Sequence, residues 1–273
     1  MSSPLHFDKM HGLGNDFVVL DGLAHPEVSG LNLAELASRL CHRRLSVGAD
    51  GLIAVLPADG FDCRMRIFNT DGSEAQMCGN GIRCVARLLW DRRHISRPQA
   101  RIITLAGERT VDITLKDNAF ESATVDMGIP RLHQPLTAEV KVNGTDYEVT
   151  PLSLGNPHGV VFVDDVNNFE VGTVGPALEN CALFPEGANI EFATPVPALH
   201  AIIVRTWERG VGETLACGTG ACAAAAAALA SGRMELPVTI MQPGGSLKIA
   251  LGEASHLMMS GPAVFAYSGT VNI

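Results

Sequence analysis

The chain has 273 residues, 47% of them hydrophobic, and a formal net charge of −9. This length suits one large domain or two medium-sized domains with a substantial core. Nucleic acids and anionic membranes attract clustered Lys and Arg, so an acidic chain argues against both as partners. We therefore expect a small-molecule ligand.

The chain shows no pattern typical of export or membrane insertion. His6, Asp8 and Lys9 interrupt the region where a signal peptide needs an apolar run. The longest apolar stretch, residues 221–230, covers about half of the roughly 20 residues that span a bilayer. The seven cysteines are an odd number, without the spacing of a small disulfide scaffold. These features predict a reducing, cytoplasmic setting in which most cysteines are buried thiols.

The predicted elements, taken in chain order, combine a few helices with a larger number of strands. Asn32 is an N-cap with Glu35 three residues on, and the apolar residues that follow predict an amphipathic surface helix. Residues 79–90 and 218–230 are apolar around most of a helix circumference, which predicts two buried helices. Alternating runs predict half-buried strands separated by turns. The clearest runs are 110–115 and 200–205, and the clearest turns are 143–144 and 243–245.

The most informative feature is an internal repeat. Residues 66–74 align with 205–213, and Cys78-Gly-Asn-Gly81 aligns with Cys217-Gly-Thr-Gly220, with 139 positions between the copies in both cases. Gly48-Ala-Asp50 and Gly187-Ala-Asn189 keep the same spacing. Leu13-Gly-Asn15 matches Leu154-Gly-Asn156 at a spacing of 141. Several matches in one register are not expected by chance, so the chain encodes one structural unit twice.

The repeat leads to a fold prediction. We expect an α+β protein with two pseudo-symmetric domains, each a mixed or antiparallel sheet curled around one buried central helix. The N-terminal repeat is expected over residues 1–118 and the C-terminal repeat over residues 119–262. Residues 263–273 are candidates to return to the first domain, although periodicity does not place them. The amino ends of the two buried helices are expected to face each other across a cleft between the domains.

Each repeat places a cysteine directly before Gly-x-Gly, at the entrance of its buried helix. Free N–H groups and the helix dipole favour an anion there, so they can lower a cysteine pKa toward neutrality or hold a carboxylate. Two such entrances gripping one carboxylate would leave Cys78 and Cys217 on opposite sides of the attached carbon, as an acid and a base. A helix end stabilises a thiolate by only about 0.3 to 2 kcal/mol. A second contributor is therefore expected, and His158 and Glu208 are the nearest polar residues.

Other thiol chemistries have weaker support. A zinc site would draw on Cys78, Cys84, Cys217 and Cys222, but the spacings C-x5-C and C-x4-C match zinc ligands poorly. A thiol oxidoreductase that cycles through a disulfide lacks the C-x-x-C pattern. We predict that Cys84 and Cys222 are core residues. The cysteines outside the repeated motifs, Cys41, Cys63 and Cys181, are predicted to be structural.

At these residues the chain resembles the diaminopimelate epimerase family, whose members interconvert LL- and meso-2,6-diaminopimelate in lysine and cell-wall precursor synthesis. The resemblance runs nearly end to end, and the two cysteine segments are its most specific parts. The matching segments are 11–17 (HGLGNDF), 48–51 (GADG), 68–73 (FNTDGS), 77–81 (MCGNG), 155–158 (GNPH), 208–210 (ERG) and 216–220 (ACGTG).

The resemblance implies a pyridoxal-independent epimerase that needs no cofactor or metal. Cys78 and Cys217 would exchange the roles of base and acid with reaction direction, and His158 and Glu208 would tune the thiols. Tyr267 would lie at the contact of a homodimer. The implied substrate-binding residues are Asn15, Asn69, Gly79, Asn80, Asn156, Asn189, Glu208, Arg209, Gly218 and Thr219. Arg209 is suited to a bidentate contact with the distal carboxylate.

Several of these assignments have a structural alternative. An Asn in a glycine-rich loop often forms a turn or a cap instead of binding a ligand. The repeated Glu74 and Glu213 could equally hold the scaffold, and Tyr267 could serve packing alone. Some family members carry Gln where Gly51 stands, so this chain offers no side-chain contact there. Two other functions stay open: a two-cysteine racemase resembling proline racemase, and a zinc-stabilised binding module.

Overall fold

The computed structural model describes residues 4–272, so the first three residues of the predicted N-terminal repeat and Ile273 lie outside the described part. The described chain is a mixed α+β fold in which strands far outnumber helices. It separates into two compact units. Unit 1 comprises the chain up to Val125 and the segment from Gly261 onward, and unit 2 runs from Asp126 to Ser260. Within residues 4–272, no helix is long and apolar enough to cross a membrane.

Unit 1 combines two helices with strands from both ends of the chain. Its elements are β1 (Leu5–Gly12), β2 (Asn15–Asp21), α1 (Leu33–Leu40), β3 (Gly51–Leu56), β4 (Cys63–Asn69), β5 (Glu74–Ala75), α2 (Gly79–Asp91), β6 (Gln99–Thr104), β7 (Gly107–Lys116), β8 (Ala119–Asp126) and β19 (Val264–Val271). Strand β19 pairs with β1, and β1 pairs with β2, both antiparallel. Strands β2 and β3 are parallel, β3 and β4 antiparallel, and β4 and β6 parallel. Strands β6, β7 and β8 form an antiparallel meander.

Unit 2 repeats this arrangement. Its elements are β9 (Arg131–Leu132), β10 (Ala138–Val142), β11 (Thr145–Ser153), β12 (Pro157–Phe162), α3 (Val171–Glu179), β13 (Asn189–Val196), β14 (Ala201–Glu208), β15 (Gly212–Thr214), α4 (Gly218–Ala230), β16 (Val238–Gln242), β17 (Gly245–Leu251) and β18 (Leu257–Gly261). Strands β10, β11 and β12 are antiparallel neighbours, and β12 and β13 are parallel. Strands β13 and β14 are antiparallel, and β14 and β16 are parallel.

The helices lie where the chain must cross between parallel strands. Parallel neighbours need a crossover connection, and a helix usually supplies it. In unit 1, α1 lies between the parallel strands β2 and β3, and α2 between β4 and β6. In unit 2, α3 and α4 occupy the corresponding connections. The same order of strands, helices and pairings therefore occurs twice along the chain.

Helices α2 and α4 are mostly buried, and their sequences explain why. The stretch Ala221–Ala228 of α4 is buried throughout, and small side chains let the helix pack closely against β12, β13 and β14. Helix α2 packs against β1, β4 and β7. Its charged residues include Arg83, whose side chain is 0% exposed. A buried charge of this kind must be paired or fully hydrogen-bonded.

The local predictions from the sequence agree with these elements. Asn32 caps α1, because its side chain accepts a hydrogen bond from the Glu35 backbone amide. The predicted run 110–115 lies in β7, and the run 200–205 lies in β14 except for its first residue. Residues 143–144 connect β10 to β11 with positive φ angles of 50° and 86°, which Asn-Gly adopts readily. Helix α3 was not predicted, because it contains Pro176 and has no side-chain N-cap.

Candidate active site

Cys78 is the N-cap residue of α2. Its backbone is extended, with φ −137° and ψ 120°, and its Sγ accepts a hydrogen bond from the Gly81 amide at 3.4 Å. The thiol therefore stands at the positive end of a helix dipole, where a thiolate is stabilised. The residue is partly exposed. This is the position that the repeat predicted for it.

Two asparagines lie beside this thiol. The Cys78 Sγ is 3.7 Å from Oδ1 of Asn15, and the Asn80 side-chain amide donates to the same oxygen at 3.2 Å. Asn80 is in turn held by Arg83, whose Nη2 donates to its Oδ1 at 2.8 Å. Arg83 also donates to the carbonyl oxygens of Gly79 and Pro262. A buried guanidinium therefore fixes the first turn of α2 and the amide next to Cys78.

The loop that carries Asn15 is held by a charged cluster in unit 1. The Asp50 carboxylate accepts hydrogen bonds from the Asn15 side chain and the Asp16 backbone, both at 3.0 Å. Arg43 bridges Asp16 and Asp50, and Lys9 pairs with Asp16 at 2.6 Å. Burial alone would raise the pKa of Asp16, but hydrogen bonds from Arg43 and Lys9 outweigh it and lower that pKa to about 2. Asp16 therefore stays ionised, and the loop stays clamped, over the neutral range.

Cys217 holds the same position in unit 2. It is the N-cap of α4, with φ −119° and ψ 118°, and its Sγ accepts from the Gly220 amide at 3.3 Å. The sulfur and the Thr219 hydroxyl are 3.5 Å apart, and either atom can donate. The Cys217 backbone amide donates to Oε1 of Gln242 at 2.8 Å. Cys217 is 6% exposed and therefore more deeply enclosed than Cys78.

A line of polar side chains leads away from Cys217 into the core of unit 2. The Asn156 side-chain amide donates to the Thr219 hydroxyl at 3.4 Å, and its Oδ1 lies 3.1 Å from Nε2 of His158. The other ring nitrogen, Nδ1, lies 2.9 Å from Oε1 of Glu191. Both side chains of this His–Glu pair are 0% exposed. Asn156 and His158 were predicted as site residues, whereas Glu191 was not.

The electrostatics of Cys217 differ from the sequence-based prediction. A helix entrance was expected to lower the cysteine pKa toward neutrality. Burial instead raises the pKa of the Cys217 thiol well above its ordinary value, and the carboxylates of Glu208 and Glu191 raise it further. Hydrogen bonds from Thr219 and Gly220 lower it, but they do not compensate. Desolvation disfavours the charged form of a buried thiol more strongly than two hydrogen bonds favour it.

The second glycine of each Gly-x-Gly motif has a structural role. A Cβ at Gly220 would lie 2.6 Å from Oε1 of Glu191, and a Cβ at Gly81 would lie 2.9 Å from Cδ1 of Ile53. The space beside both glycines is filled by protein: by a buried carboxylate oxygen at Gly220, and by the movable ends of two apolar side chains at Gly81.

The other predicted site residues occupy strand ends and loops. Asn69 ends β4 and donates to the Ser73 hydroxyl at 2.9 Å. Asn189 begins β13, and its Oδ1 accepts from the Arg209 backbone amide at 2.9 Å. Glu208 ends β14 and accepts from the Thr214 hydroxyl at 2.5 Å. The exposed Arg209 guanidinium donates to the Glu186 carbonyl oxygen at 3.2 Å. The remaining predicted contacts, Gly79 and Gly218, are the first residues of α2 and α4.

The remaining cysteines lie outside the two N-cap positions. All seven cysteines are free thiols. Burial raises the pKa of Cys41 to about 11 and that of Cys84 to about 12, and it also raises the pKa of Cys63. Such thiols are unreactive near neutral pH. Within residues 4–272, no cluster of His, Cys, Asp and Glu is arranged to hold a metal ion.

Comparison with known proteins decides the family. The family model for diaminopimelate epimerase matches residues 7–133 and 151–266. The chain is 44% identical over 274 residues to the diaminopimelate epimerase of Desulfitobacterium hafniense, with 96% of each chain covered. It is also 44% identical to the diaminopimelate epimerase of Moorella thermoacetica, with 97% of this chain and 98% of that protein covered. The chain belongs to the diaminopimelate epimerase family.

Solved structures share the fold of this family member. A phenazine biosynthesis protein of the PhzF family from Bacillus anthracis matches with a TM-score of 0.73 at 18% identity, covering 100% of both chains. A hydroxyproline epimerase from Agrobacterium vitis, with bound trans-4-OH-L-proline, matches with a TM-score of 0.72 at 17% identity, covering 98% and 92%. These likenesses concern the fold alone. The curated relatives mark the chain as an amino-acid epimerase, so the interpretation as a binding module is wrong.

Sequence reasoning missed four residues that support the site. Glu191 and Arg83 are charged residues among the buried positions of β13 and α2. That pattern is the available signal, because a charge on a buried face is retained only when it is paired. Gln242 and Arg43 approach the site from strands or loops distant in sequence. No local pattern identifies such contacts.

Proposed function

We propose that this chain interconverts LL- and meso-2,6-diaminopimelate by proton transfer between two thiols, Cys78 and Cys217, without pyridoxal. The main observation in support is that each cysteine caps a buried helix and accepts a hydrogen bond from the backbone amide of the second glycine of its motif. An acid and a base of the same chemical type suit a reaction that runs in both directions, because each thiol must serve as base for one stereoisomer.

The proposed reaction conserves protons within the pair. One thiolate removes the α-proton from one face, and the electron pair delocalises into the α-carboxylate. The other thiol then donates its proton to the opposite face of the same carbon. After turnover the first cysteine is a thiol and the second is a thiolate, so the enzyme is ready for the reverse direction. Both sulfurs must reach one α-carbon when substrate is bound.

The α-carboxylate is the group that the helix entrances would hold. The amides of Gly79 and Asn80 begin α2, and those of Gly218 and Thr219 begin α4. The first N–H groups of a helix have no intrahelical acceptor, so they are available to an anion. As the α-proton leaves, negative charge builds on the carboxylate oxygens. Donors placed at those oxygens stabilise the transition state more than the ground state.

The remaining substrate groups are assigned to side chains around the two entrances. Asn15 lies beside the Cys78 thiol and Asn156 beside the Thr219 hydroxyl, and both would contact the reacting end. Asn69, Asn189 and Glu208 offer amide and carboxylate groups for the ammonium groups of the substrate. Arg209 is exposed and carries its guanidinium on a loop, so it would bind the distal carboxylate in a bidentate manner. His158 and Glu208 would tune the thiols.

The proposed architecture is two pseudo-symmetric domains, each a sheet curled around its buried helix, α2 or α4. The epimerase repeats are proposed over residues 1–118 and 119–262, with 263–273 joining the first. We propose a homodimer that uses strand β19, where Val264, Phe265 and Tyr267 expose apolar surface. The Tyr267 ring also packs edge-on against Phe7 at 6.0 Å. A cytoplasmic location keeps the two thiols reduced.

One experiment tests both the substrate and the thiols. Enzyme freed of metal and pyridoxal is incubated with LL-diaminopimelate in deuterated water, and epimerisation and α-deuterium content are measured. The wild type is expected to form meso product that carries α-deuterium. Cys78→Ala and Cys217→Ala are each expected to lose epimerisation by at least about 1,000-fold, since general acid and base groups contribute about 100- to 10,000-fold each. Cys181→Ser is the matched control and should keep wild-type turnover.

Two results would contradict this proposal. Inert LL-diaminopimelate with the wild type would reject the substrate. Full turnover by either alanine variant would remove that cysteine from the mechanism.

A further inference from the structure

Glu191 is a buried carboxylate without a role in the reaction described so far. It lies on β13 with its side chain 0% exposed, and Oε1 is 2.9 Å from Nδ1 of His158. Oε2 is buried and has no hydrogen-bond partner among residues 4–272. A carboxylate in such a place costs stability compared with an apolar residue of similar size. A residue of this kind is therefore a candidate for a function in the site.

Glu191 is connected to the sulfur of Cys217 through an unbroken series of contacts. His158 is 3.1 Å from Asn156, Asn156 is 3.4 Å from Thr219, and the Thr219 hydroxyl is 3.5 Å from Sγ. Each member has its neighbour as a hydrogen-bond partner, so the position of the first restricts the position of the last. All of these side chains belong to unit 2.

A second contact brings the carboxylate against the helix itself. A Cβ at Gly220 would lie 2.6 Å from Oε1 of Glu191 and 3.2 Å from Cβ of Cys217. Oε1 therefore lies against the first turn of α4, beside the residue that donates its amide to the sulfur. The glycine makes room for the carboxylate, which explains why this position of the motif carries no side chain.

We propose that Glu191 is a positioning residue for Cys217: it holds His158 through Oε1 and, through Asn156 and Thr219, orients the thiol, while its charge favours the protonated thiol. The proposal rests on the proposed function for its effect on turnover. Glu191 thereby makes Cys217 the proton donor of the resting enzyme. The first turnover then begins with a base on the other side of the α-carbon.

The charges that surround Cys217 also favour its protonated form. Burial raises the pKa of Cys217, and Glu208 and Glu191 are the carboxylates that raise it further. On the strands packed against α4, the other charged groups point elsewhere: Arg205 pairs with Glu213, and Asp146 pairs with Lys141. Glu148 and Lys248 are exposed. His158 faces Glu191 and Asn156.

Two substitutions separate the contact from the charge. Glu191→Gln removes the charge but keeps an oxygen that can accept from His158. Glu191→Asp keeps the charge but shortens the side chain by one methylene, so the contact with His158 is lost. Glu148→Gln is the matched control, because Glu148 is an exposed carboxylate in the same unit. Folding of each variant is checked by circular dichroism.

The first measurement is the pH dependence of iodoacetamide alkylation at Cys217 and Cys78, followed by mass spectrometry of the two peptides. In Glu191→Gln the Cys217 profile is expected to move to lower pH, whereas the Cys78 profile in the same protein stays in place. The alkaline limb of kcat/KM should move with it. The alkylation measurement needs no substrate, so its result is independent of whether diaminopimelate is turned over.

The second measurement is steady-state epimerisation by Glu191→Asp. We expect kcat to fall about 10- to 100-fold, the usual effect of removing a group that orients a functional side chain, with KM within about 2-fold of wild type. A Cys217 profile in Glu191→Gln that coincides with wild type or moves to higher pH would overturn the proposal. Wild-type kcat in Glu191→Asp would also overturn it, and that variant decides alone if Glu191→Gln does not fold.

Discussion

Behind the two cysteines, units 1 and 2 carry buried charges of opposite sign. Helix α2 contains Arg83, a fully enclosed cation, and 139 positions later α4 contains the buried Cys222. Strand β13 contains the enclosed carboxylate of Glu191, and 139 positions earlier β3 contains Leu52, which is 0% exposed. The repeat therefore preserves the thiol and its helix entrance, while the buried charge and its position have changed.

This difference shows that a duplicated backbone can support two chemically distinct thiols. Each helix entrance offers its sulfur an amide hydrogen bond of similar length, 3.4 Å in unit 1 and 3.3 Å in unit 2. The long-range electrostatics differ, because a guanidinium favours a nearby anion and a carboxylate disfavours it. Each thiol can therefore have its own resting protonation state, although the reaction uses both in either direction.

The largest effect on stability is expected from the buried cation of unit 1. Arg83→Met removes the donor from three acceptors, on Gly79, Asn80 and Pro262. We expect the free energy of unfolding to fall by about 3 kcal/mol, because buried acceptors left unpaired cost roughly 1–3 kcal/mol each. Cys222→Ala, at the equivalent position of unit 2, should cost about 1 kcal/mol. Urea denaturation measures the free energy of unfolding of both variants. Equal losses would show that Arg83 contributes no more to stability than an ordinary buried side chain.

The second glycine of each Gly-x-Gly motif gives a smaller and more local comparison between the two units. Gly220→Ala would push against a buried carboxylate oxygen, whereas Gly81→Ala would meet the ends of Ile53 and Met65. Flexible side-chain ends can move, but Glu191 can move only by losing its contact with His158. We expect Gly220→Ala to lower kcat about 10-fold and Gly81→Ala less than about 3-fold, in proportion to the disturbance of the aligned groups. Parallel turnover assays compare them, and the reverse order would contradict the placement of Glu191.

The smallest effect is expected from acid titration of the loop in unit 1. The pKa of Asp16 is about 2 in the folded chain and near 3.8 ordinarily, so its contribution to stability is complete above about pH 4. That contribution is lost as the pH falls from about 4 to about 2. The residue that follows Asn156 in unit 2 is Pro157, which does not titrate. The free energies of unfolding of wild type and of Asp16→Asn should converge as the pH falls through this range. Parallel pH dependences in the two proteins would refute the assignment.

The fold could be predicted where its signals are local. The cap at Asn32, the alternation in β7 and the Asn143-Gly144 turn each follow from a few neighbouring residues. Helix α3 could not be predicted in this way, since Pro176 stands inside it. Its place follows from the crossover that joins β12 to β13. The pairing of β19 with β1 depends on contacts between the two ends of the described chain, which periodicity does not encode.

The same distinction between local and long-range signals applies to the residues of the candidate site. The repeat placed Cys78 and Cys217 at helix entrances, because a Cys-Gly-x-Gly motif before an apolar helix is a short and specific pattern. It also marked Asn15 and Asn156, which the structure places beside the Cys78 thiol and the Thr219 hydroxyl, respectively. It did not reveal Glu191, whose neighbours His158 and Gly220 come from a different strand and a helix.

The sequence by itself determined that one unit is encoded twice, with a thiol at each buried helix. Such features depend on the order of residues within a single element. Only the tertiary structure decided the charge behind each thiol, the pKa of Cys217 and the reason for Gly220. These depend on burial and on distances between residues far apart in the chain, and the energy of a buried charge is set by its surroundings rather than by its place in the sequence.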